Sequence, residues 1–231
     1  MTEQSRPPAG SRAAASPLSR SRVVRAAIAL ADAEGLEAVS MRRLAAELCV
    51  VPMALYKHVA SKGDLVTAMI DAIVSDYPTP AEGSEWTAAI RARVLGARAA
   101  LLEHPWLRTA IEGATERTPA VLGHMNALVG DLVAGGCSYD LAHHAMHALG
   151  HRIWGFSPEA FASSGAAATS PAPDPQLLAQ IARAFPHIAG VAAEQQRRHP
   201  AGCDERFEFE FTLDLLLESF ARLRDSGWQS S

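Results

Sequence analysis

The stretch "SMRRLAAELCVVPMALYKHVASK", Ser40 to Lys62, carries the reading on which the fold depends. Ser40 suits the N-cap of a short helix in which Leu44, Ala45 and Leu48 form the inward stripe, while Arg42 and Arg43 stay outside. That helix ends near Leu48. After three intervening residues Pro52 takes a first helical position, and Leu55 and Val59 point inward at i and i+4, so a second short helix follows. Helix, three-residue turn and short helix is the layout of a helix-turn-helix, whose second helix enters the major groove of DNA. With Leu55 and Val59 inward, Met53, Ala54, Tyr56, Lys57 and His58 are left outside, a mixed set suited to thymine methyls, base acceptors and phosphates. An ordinary amphipathic helix of a bundle is the other reading, although a solvated helix rarely exposes Met and Tyr together.

The flanks extend the helical pattern. From Arg22, the residues Val24, Ala27, Ile28 and Ala31 recur at i, i+3, i+4 and i+7, and Gly35 stops the run. Ser61 with Asp64 makes a capping-box-like start for a further helix on Leu65, Met69, Ala72 and Ile73, which ends at Tyr77 because Pro78 prevents continuation. Downstream, Ser84 to Glu103 is a long Ala/Arg/Leu segment, followed by a short one from Trp106 to about Glu112. Thr118 and Pro119 open a helix that Gly135 and Gly136 close, and Ser138 begins the next. Shorter helices are expected over 176–195. A last helix after Asp204 carries Phe207, Phe211, Leu215, Leu216, Phe220 and Leu223, because this apolar spacing outweighs the strand-like alternation of "FEFEF". The class is all-α.

The 231 residues suffice for a small head on a larger body, and 48% of them are apolar. The charge is uneven. Residues 1–64 hold nine Lys/Arg against six Asp/Glu, a balance of +3, and residues 65–231 hold twelve against nineteen, a balance of −7. Only the N-terminal part suits a polyanion, and both lysines of the chain, Lys57 and Lys62, lie there. Residues 1–20, rich in Ser, Ala, Pro and Arg, read as a disordered basic tail; residues 157–175 read as a mobile low-complexity loop. No window approaches the roughly 18 apolar residues of a membrane span, and the N-terminus lacks the apolar core of a secretion signal, so a soluble, cytoplasmic protein without a membrane partner is expected. Cys49, Cys137 and Cys203 are widely spaced, which suggests neither a disulfide framework nor a zinc knuckle.

The segments "RAAIALADAEGLEAVSMRRLAAEL" and "LYKHVASKGDLVTAMI" resemble the DNA-binding head of the TetR family of bacterial repressors, over about residues 22 to 77. "EGSEWTAAIRARVLGARAALLEHPWL" and "LGHRIWGF" are similar to the effector-binding body of the tetracycline repressors. The resemblance implies a three-helix head with its linking helix over 21–77 and an effector-binding, dimerising body over 78–231. It implies that Ser40 and Arg42 meet backbone and base, and that Tyr56, His58 and Lys62 hold phosphates. Met53, Ala54 and Lys57 then stand in the positions that read sequence, with Lys57 on either base or phosphate. The implied function is a ligand-responsive transcriptional regulator, by default a repressor. It would bind double-stranded operator DNA as a homodimer, on half-sites about 34 to 36 Å apart, and leave it when a small-molecule effector binds. The helix from Ser61 to Tyr77 is the continuous link that would transmit the change.

Two departures accompany the resemblance. Cys49 stands where the family usually places glycine in the turn, at a cost of about 1 kcal/mol if φ is positive. "LRTAIEGATERTP", Leu107 to Pro119, lacks the His through which tetracycline repressors hold a magnesium ion, which argues against tetracycline-magnesium as effector.

"HHAMHALGH" is the densest remaining feature. His144, His147 and His151 fall at i, i+3 and i+7, and His143 extends the row. A metal-dependent enzyme on a helical bundle is the alternative function this row raises, but no HExxH, acidic partner or second His/Cys cluster accompanies it. An effector pocket lined by these histidines, or a dimer seam, are the other readings. Trp106, Met125, Trp154 and Phe156 are further pocket candidates. No catalytic residues, resident metal or cofactor are assigned. Nothing here has the order of a Ser-His-Asp site, paired carboxylates or a Gly-rich phosphate loop.

Overall fold

Ser19, not Arg22, marks where the first helix begins: its hydroxyl accepts the Arg22 N–H, and α1 runs Arg20–Glu34. Arg20 therefore belongs to the folded chain and not to a disordered tail. The computed structural model describes residues 17–114, 117–154, 175–198 and 204–231. Among them lie α2 (Met41–Glu47), α3 (Pro52–Leu55), α4 (Lys62–Ser75), α5 (Trp86–Glu103), α6 (Leu107–Glu112), α7 (Pro119–Ala134), α8 (Tyr139–Trp154), α9 (Pro175–Ala184), α10 (Pro186–Arg198) and α11 (Glu205–Asp225), with one 3-10 turn at Leu36–Ala38 and no strand. Residues 1–16 of the basic tail expected over 1–20, and residues 157–174 of the loop expected over 157–175, lie outside the described residues, and Pro175 opens α9 instead of ending that loop.

The chain divides into two units. One comprises the described residues up to Tyr77 with Ala99–Gly123, and the other Pro78–Arg98 with the described residues from His124 on. The boundary thus departs from a single cut after Tyr77. Residues 99–123 join the first unit because α6 packs on α4, and Asp71 of α4 accepts the Ala120 N–H at 3.1 Å. In consequence α4 is not the sole covalent route out of this unit.

The core of the first unit is built by the stripes Val23, Val24, Ala27, Leu30 and Ala31 of α1, Leu44 and Ala45 of α2, Leu55, Val59, and Leu65, Met69 and Ile73 of α4. Each fully buried aliphatic side chain of this kind contributes about 1.5–3 kcal/mol relative to exposure. Ile28 lies only partly inside, because the buried face of α1 is centred on Val23, Ala27 and Leu30.

In the second unit the core gathers Ile90 and Val94 of α5, Leu128 and Leu132 of α7, Leu141, Ala142, Ala145 and Leu149 of α8, and Phe209, Leu213, Leu217 and Phe220 of α11. Asp204 starts α11 by accepting the N–H groups of Arg206 and Phe207, so the alternating "FEFEF" is helical. The six apolar residues expected along α11 split between two faces. Phe220 turns inward and Leu216 and Leu223 are partly buried, whereas Phe207, Phe211 and Leu215 stand outside. The corner between α7 and α8 depends on glycine. Gly136 has φ +90°, and a Cβ on Gly135 would stand 2.3 Å from Trp86 Cγ. Arg224 closes the corner, donating to the Gly135 carbonyl at 3.0 Å with its guanidinium 5.3 Å from the Trp86 ring centre.

Gly135→Ala is expected to destabilise the protein by about 1–3 kcal/mol, the usual cost of forcing an extra carbon into a packed site, read as a lowered midpoint in thermal denaturation followed by circular dichroism.

Candidate nucleic-acid interface

The surface predicted to meet DNA is assembled from a cap, a turn and a clamp. Ser40 accepts the Arg43 N–H at 3.2 Å and starts α2, leaving Arg42 exposed beside it. Arg43 is tied to Glu34 at 2.6 Å. At the other end of α2, Leu48 is the C-cap. The Cys49 N–H bonds to the Ala46 carbonyl at 3.1 Å and the Val50 N–H to the Ala45 carbonyl at 2.9 Å, the paired bonds of a Schellman motif. Such a motif needs a left-handed residue next, and Cys49 has φ +55°, the one positive φ outside glycine among the described residues. The departure from glycine read in the sequence therefore falls on a residue that pays a steric penalty of about 1 kcal/mol. The chain turns as a helix-turn-helix despite the substitution.

Val51 is extended and Pro52 opens α3, but the helix proper spans only Pro52–Leu55. The single helix expected through Val59 is interrupted there: residues 56–58 form a turn in which Leu55 O accepts both His58 N at 2.8 Å and Val59 N at 3.0 Å. Leu55 and Val59 are buried as the pattern required. Met53 is 72% exposed and Tyr56 48%, and Lys57 and Lys62 are also outside. Ala54 and His58 are only half-exposed, so the outward set is smaller than the five residues read from the helical face. Val51, 67% exposed, joins it. The apolar periodicity alone gave no reason to select that residue.

Arg20 fixes this segment to the head. Its guanidinium donates to the His58 carbonyl at 2.7 Å and to both oxygens of Asp64 at 3.1 and 2.8 Å. Asp64 also accepts the Ala60 N–H at 2.8 Å, while Ser61 accepts the Asp64 N–H at 3.0 Å and caps α4. These contacts hold the Asp64 carboxyl below the usual carboxylate range, Arg20 being the larger cause. The sequence reading took Asp64 as part of a cap and missed Arg20, which lies 44 positions away.

The effector candidates do not come together as one group. Trp106 is buried in the first unit, where its indole N–H donates to Asp32 at 2.7 Å beside His104 Nδ1, 2.8 Å from the same oxygen. Met125 belongs to the second unit and is half-buried on α7. His144, His147 and His151 are exposed on α8, with His143. The His143 and His147 rings meet edge to face at 4.7 Å, and His144 packs on Trp228 at 5.5 Å, 3.8 Å from Asp140. These histidines therefore do not face the interior of their own unit, whose core takes the opposite face of α8. Among the described residues no three His, Cys, Asp or Glu side chains group to hold a metal ion. Trp154 ends α8 but its side chain, like all of Phe156, lies outside the described residues. Sequence reading passed over His124, half-buried on α7, whose imidazole burial and Arg93 push below its ordinary pKa.

Cap, left-handed turn, short helix and clamp define a helix-turn-helix DNA-binding head carried by a chain with a second helical unit. The comparisons agree over both parts. Residues 23–69 match the family described as bacterial regulatory proteins, tetR family, and residues 79–222 match the tetracyclin repressor-like C-terminal domain. The chain belongs to the TetR family of helix-turn-helix transcriptional regulators, and the reading as a metal-dependent enzyme falls with that assignment. It is 45% identical to the HTH-type transcriptional repressor DrrR1 of Streptomyces coeruleorubidus over 92 residues, 39% of this chain and 34% of that one, so the match spans about a third of that relative. It is 28% identical to the tetracycline repressor protein class G of Vibrio anguillarum over 90% of this chain and 95% of that one. Among solved structures it is similar to the TetR family protein ActR of Streptomyces coelicolor in complex with (S)-DNPA, at 26% identity and a TM-score of 0.65, covering 89% of this chain and 98% of that one. No helix among the described residues is long and apolar enough to cross a membrane.

Cys49→Gly is expected to stabilise the head by about 1 kcal/mol by relieving the left-handed residue, seen as a higher urea midpoint with an unchanged slope. A depressed carboxyl stabilises the folded state above its unfolded pKa, near 4, and that contribution is lost as pH falls through the lower folded value. Asp64→Asn should therefore lower the melting temperature at pH 7, and the gap to wild type should shrink as pH drops below about 4.

Proposed function

We propose that the protein is a ligand-responsive repressor that binds a palindromic operator as a homodimer and is released from it by a small-molecule effector. The observation that carries the DNA-binding role is the exposed row Met53, Tyr56, Lys57 and Lys62, held by a Schellman turn on one side and by the Arg20 clamp on the other. Lys57 and Tyr56 project from the turn after α3, and Lys62 opens α4. In this reading Tyr56, His58 and Lys62 hold phosphates, Ser40 and Arg42 meet backbone and base, and Met53, Ala54 and Lys57 read sequence. Ser40 contributes chiefly through its cap, since its hydroxyl is engaged with Arg43. Phosphate contacts fix register, and the apolar Met53 beside them is suited to a thymine methyl.

Dimerisation is assigned to the outer faces of α8 and α11. These two helices pack on each other within one chain, yet Phe207, Phe211 and Leu215 form an apolar row at i, i+4 and i+8 that the chain leaves outside. Phe207 and Phe211 stack at 6.2 Å, and Tyr139 continues the exposed surface on α8. The α8 histidines are placed in this seam and not in an effector pocket, because they project away from the core of their unit. Names of relatives support the repressor and effector roles: one is a transcriptional repressor, another a tetracycline repressor, and ActR has been crystallised with a small molecule. Tetracycline-magnesium is not the effector assigned here. Helix α6 offers no histidine, and His104 just before it is engaged with Asp32. Release follows if the effector prefers a conformation in which the two heads no longer match half-sites about 34 to 36 Å apart.

Selection of bound sequences from a random duplex pool tests the class directly. The expected product is a palindrome; recovery of no duplex above background sinks the reading. On the selected operator, Lys62→Ala should weaken binding and lower the slope of log affinity against log salt by about one, with the dimer retained in sedimentation.

A further inference from the structure

The segment that opens α3 carries no side chain able to form a strong hydrogen bond. From Val50 to Leu55 the order is Val, Val, Pro, Met, Ala, Leu, in which the Met53 thioether is the one acceptor, and a weak one. Pro52 has no N–H to offer, and the Val51 carbonyl already accepts the Ala54 N–H at 2.9 Å. Leu55 is buried, yet Val51 is 67% and Met53 72% exposed, more than any other large hydrophobic side chain of the first unit among the described residues. Pro52 between them is exposed as well. Polar groups stand around this run: Arg42 on α2, Tyr56 and Lys57 in the turn after α3, and Lys62 opening α4 are all exposed.

An apolar patch left open marks a surface that something covers, and cations around it fit a polyanion better than an apolar protein face. Every base edge in the major groove presents donors or acceptors, and thymine alone adds a methyl group. An aliphatic side chain set against an amino or carbonyl edge strips its water and returns no bond, whereas against a methyl it buries apolar surface on both sides. From this we infer that Val51 is a further base-reading residue, and that Val51 and Met53 together recognise the C5 methyl groups of thymines in each operator half-site. The inference rests on the reading of the head as the operator-binding part of a repressor. It narrows the class of duplex: where this segment meets the groove, the half-site holds a 5-methylpyrimidine. Uracil, which keeps the hydrogen-bonding edge of thymine and lacks only the methyl, is selected against, and 5-methylcytosine is favoured over cytosine.

The test begins with the operator selected from a random duplex pool and replaces its thymines, position by position and in both half-sites, with deoxyuridine. Binding to the full-length protein is followed by fluorescence anisotropy at a fixed salt concentration. At one or two thymines of the half-site, removal of the methyl should weaken wild-type binding about fourfold per half-site, the equivalent of one buried methylene. Val51→Ala and Met53→Ala should each bind the thymine operator less tightly and, at one of those positions, bring the thymine-to-uracil ratio close to one, because the side chain that met the methyl is gone. Lys62→Ala should weaken both duplexes alike and leave the ratio as in wild type, since a phosphate contact carries no base information. Cytosine at the same position should weaken binding, and 5-methylcytosine should recover part of the loss. The ratio compares two duplexes on one protein sample, so it reads the contact and not the stability of the variant. A half-site without thymine, uracil duplexes bound as tightly as thymine ones, or a ratio that Val51→Ala leaves unchanged at every position overturns the inference while the operator-binding reading stands. A pool that yields no bound duplex sinks that reading, and the inference with it.

Discussion

The DNA-binding surface depends on one carboxylate. Asp64 accepts two bonds from Arg20 and one from the Ala60 N–H, and Arg20 in turn holds the His58 carbonyl. Helix α3 is four residues long, too short to persist by its own hydrogen bonds. Its orientation is set from outside, by Leu55 and Val59 in the core and by the main chain of the following turn held to α1 and α4. Surface ion pairs contribute little to stability on average. Here the value of the pair is geometric, because a bidentate Arg–carboxylate contact fixes angle as well as distance.

Helix α11 serves two purposes with two faces. The row Phe209, Leu213, Leu217 and Phe220 completes the core of the second unit, and the row Phe207, Phe211 and Leu215 stays outside. A helix with apolar residues on both faces is costly for an isolated chain in water, and a covering partner removes that cost. On the inner face the Phe209 ring also lies 4.4 Å from the Arg98 Cζ and 4.5 Å from the Arg152 Cζ.

Caps and turns were legible because their physics is local. Ser40, Ser61 and Asp204 bond to N–H groups two or three residues away, and each stands where a helix was expected to start. The expected anomaly at Cys49 is likewise local: a Schellman turn demands a left-handed residue, and the chain supplies one with a side chain. Other features depended on distant partners. Arg20 looked like the end of a tail because Asp64 is 44 positions away. Trp106 looked like a pocket wall because its indole partner, Asp32, lies 74 positions earlier. The histidines of α8 had a helical spacing but no sequence signal for inside or outside, since imidazole is at home in both.

The sequence by itself determined an all-helical chain, the helix-turn-helix and the family, since hydrophobic period, caps and turn residues act over a few positions and leave their pattern in the order of residues. Only the tertiary structure decided where α3 stops, which residues join the head as one unit, which face of α8 the histidines occupy, and that two arginines meet on Phe209. Each of those outcomes depends on contacts between residues far apart in the chain, and packing, which no single segment encodes, selects among arrangements that are locally equivalent.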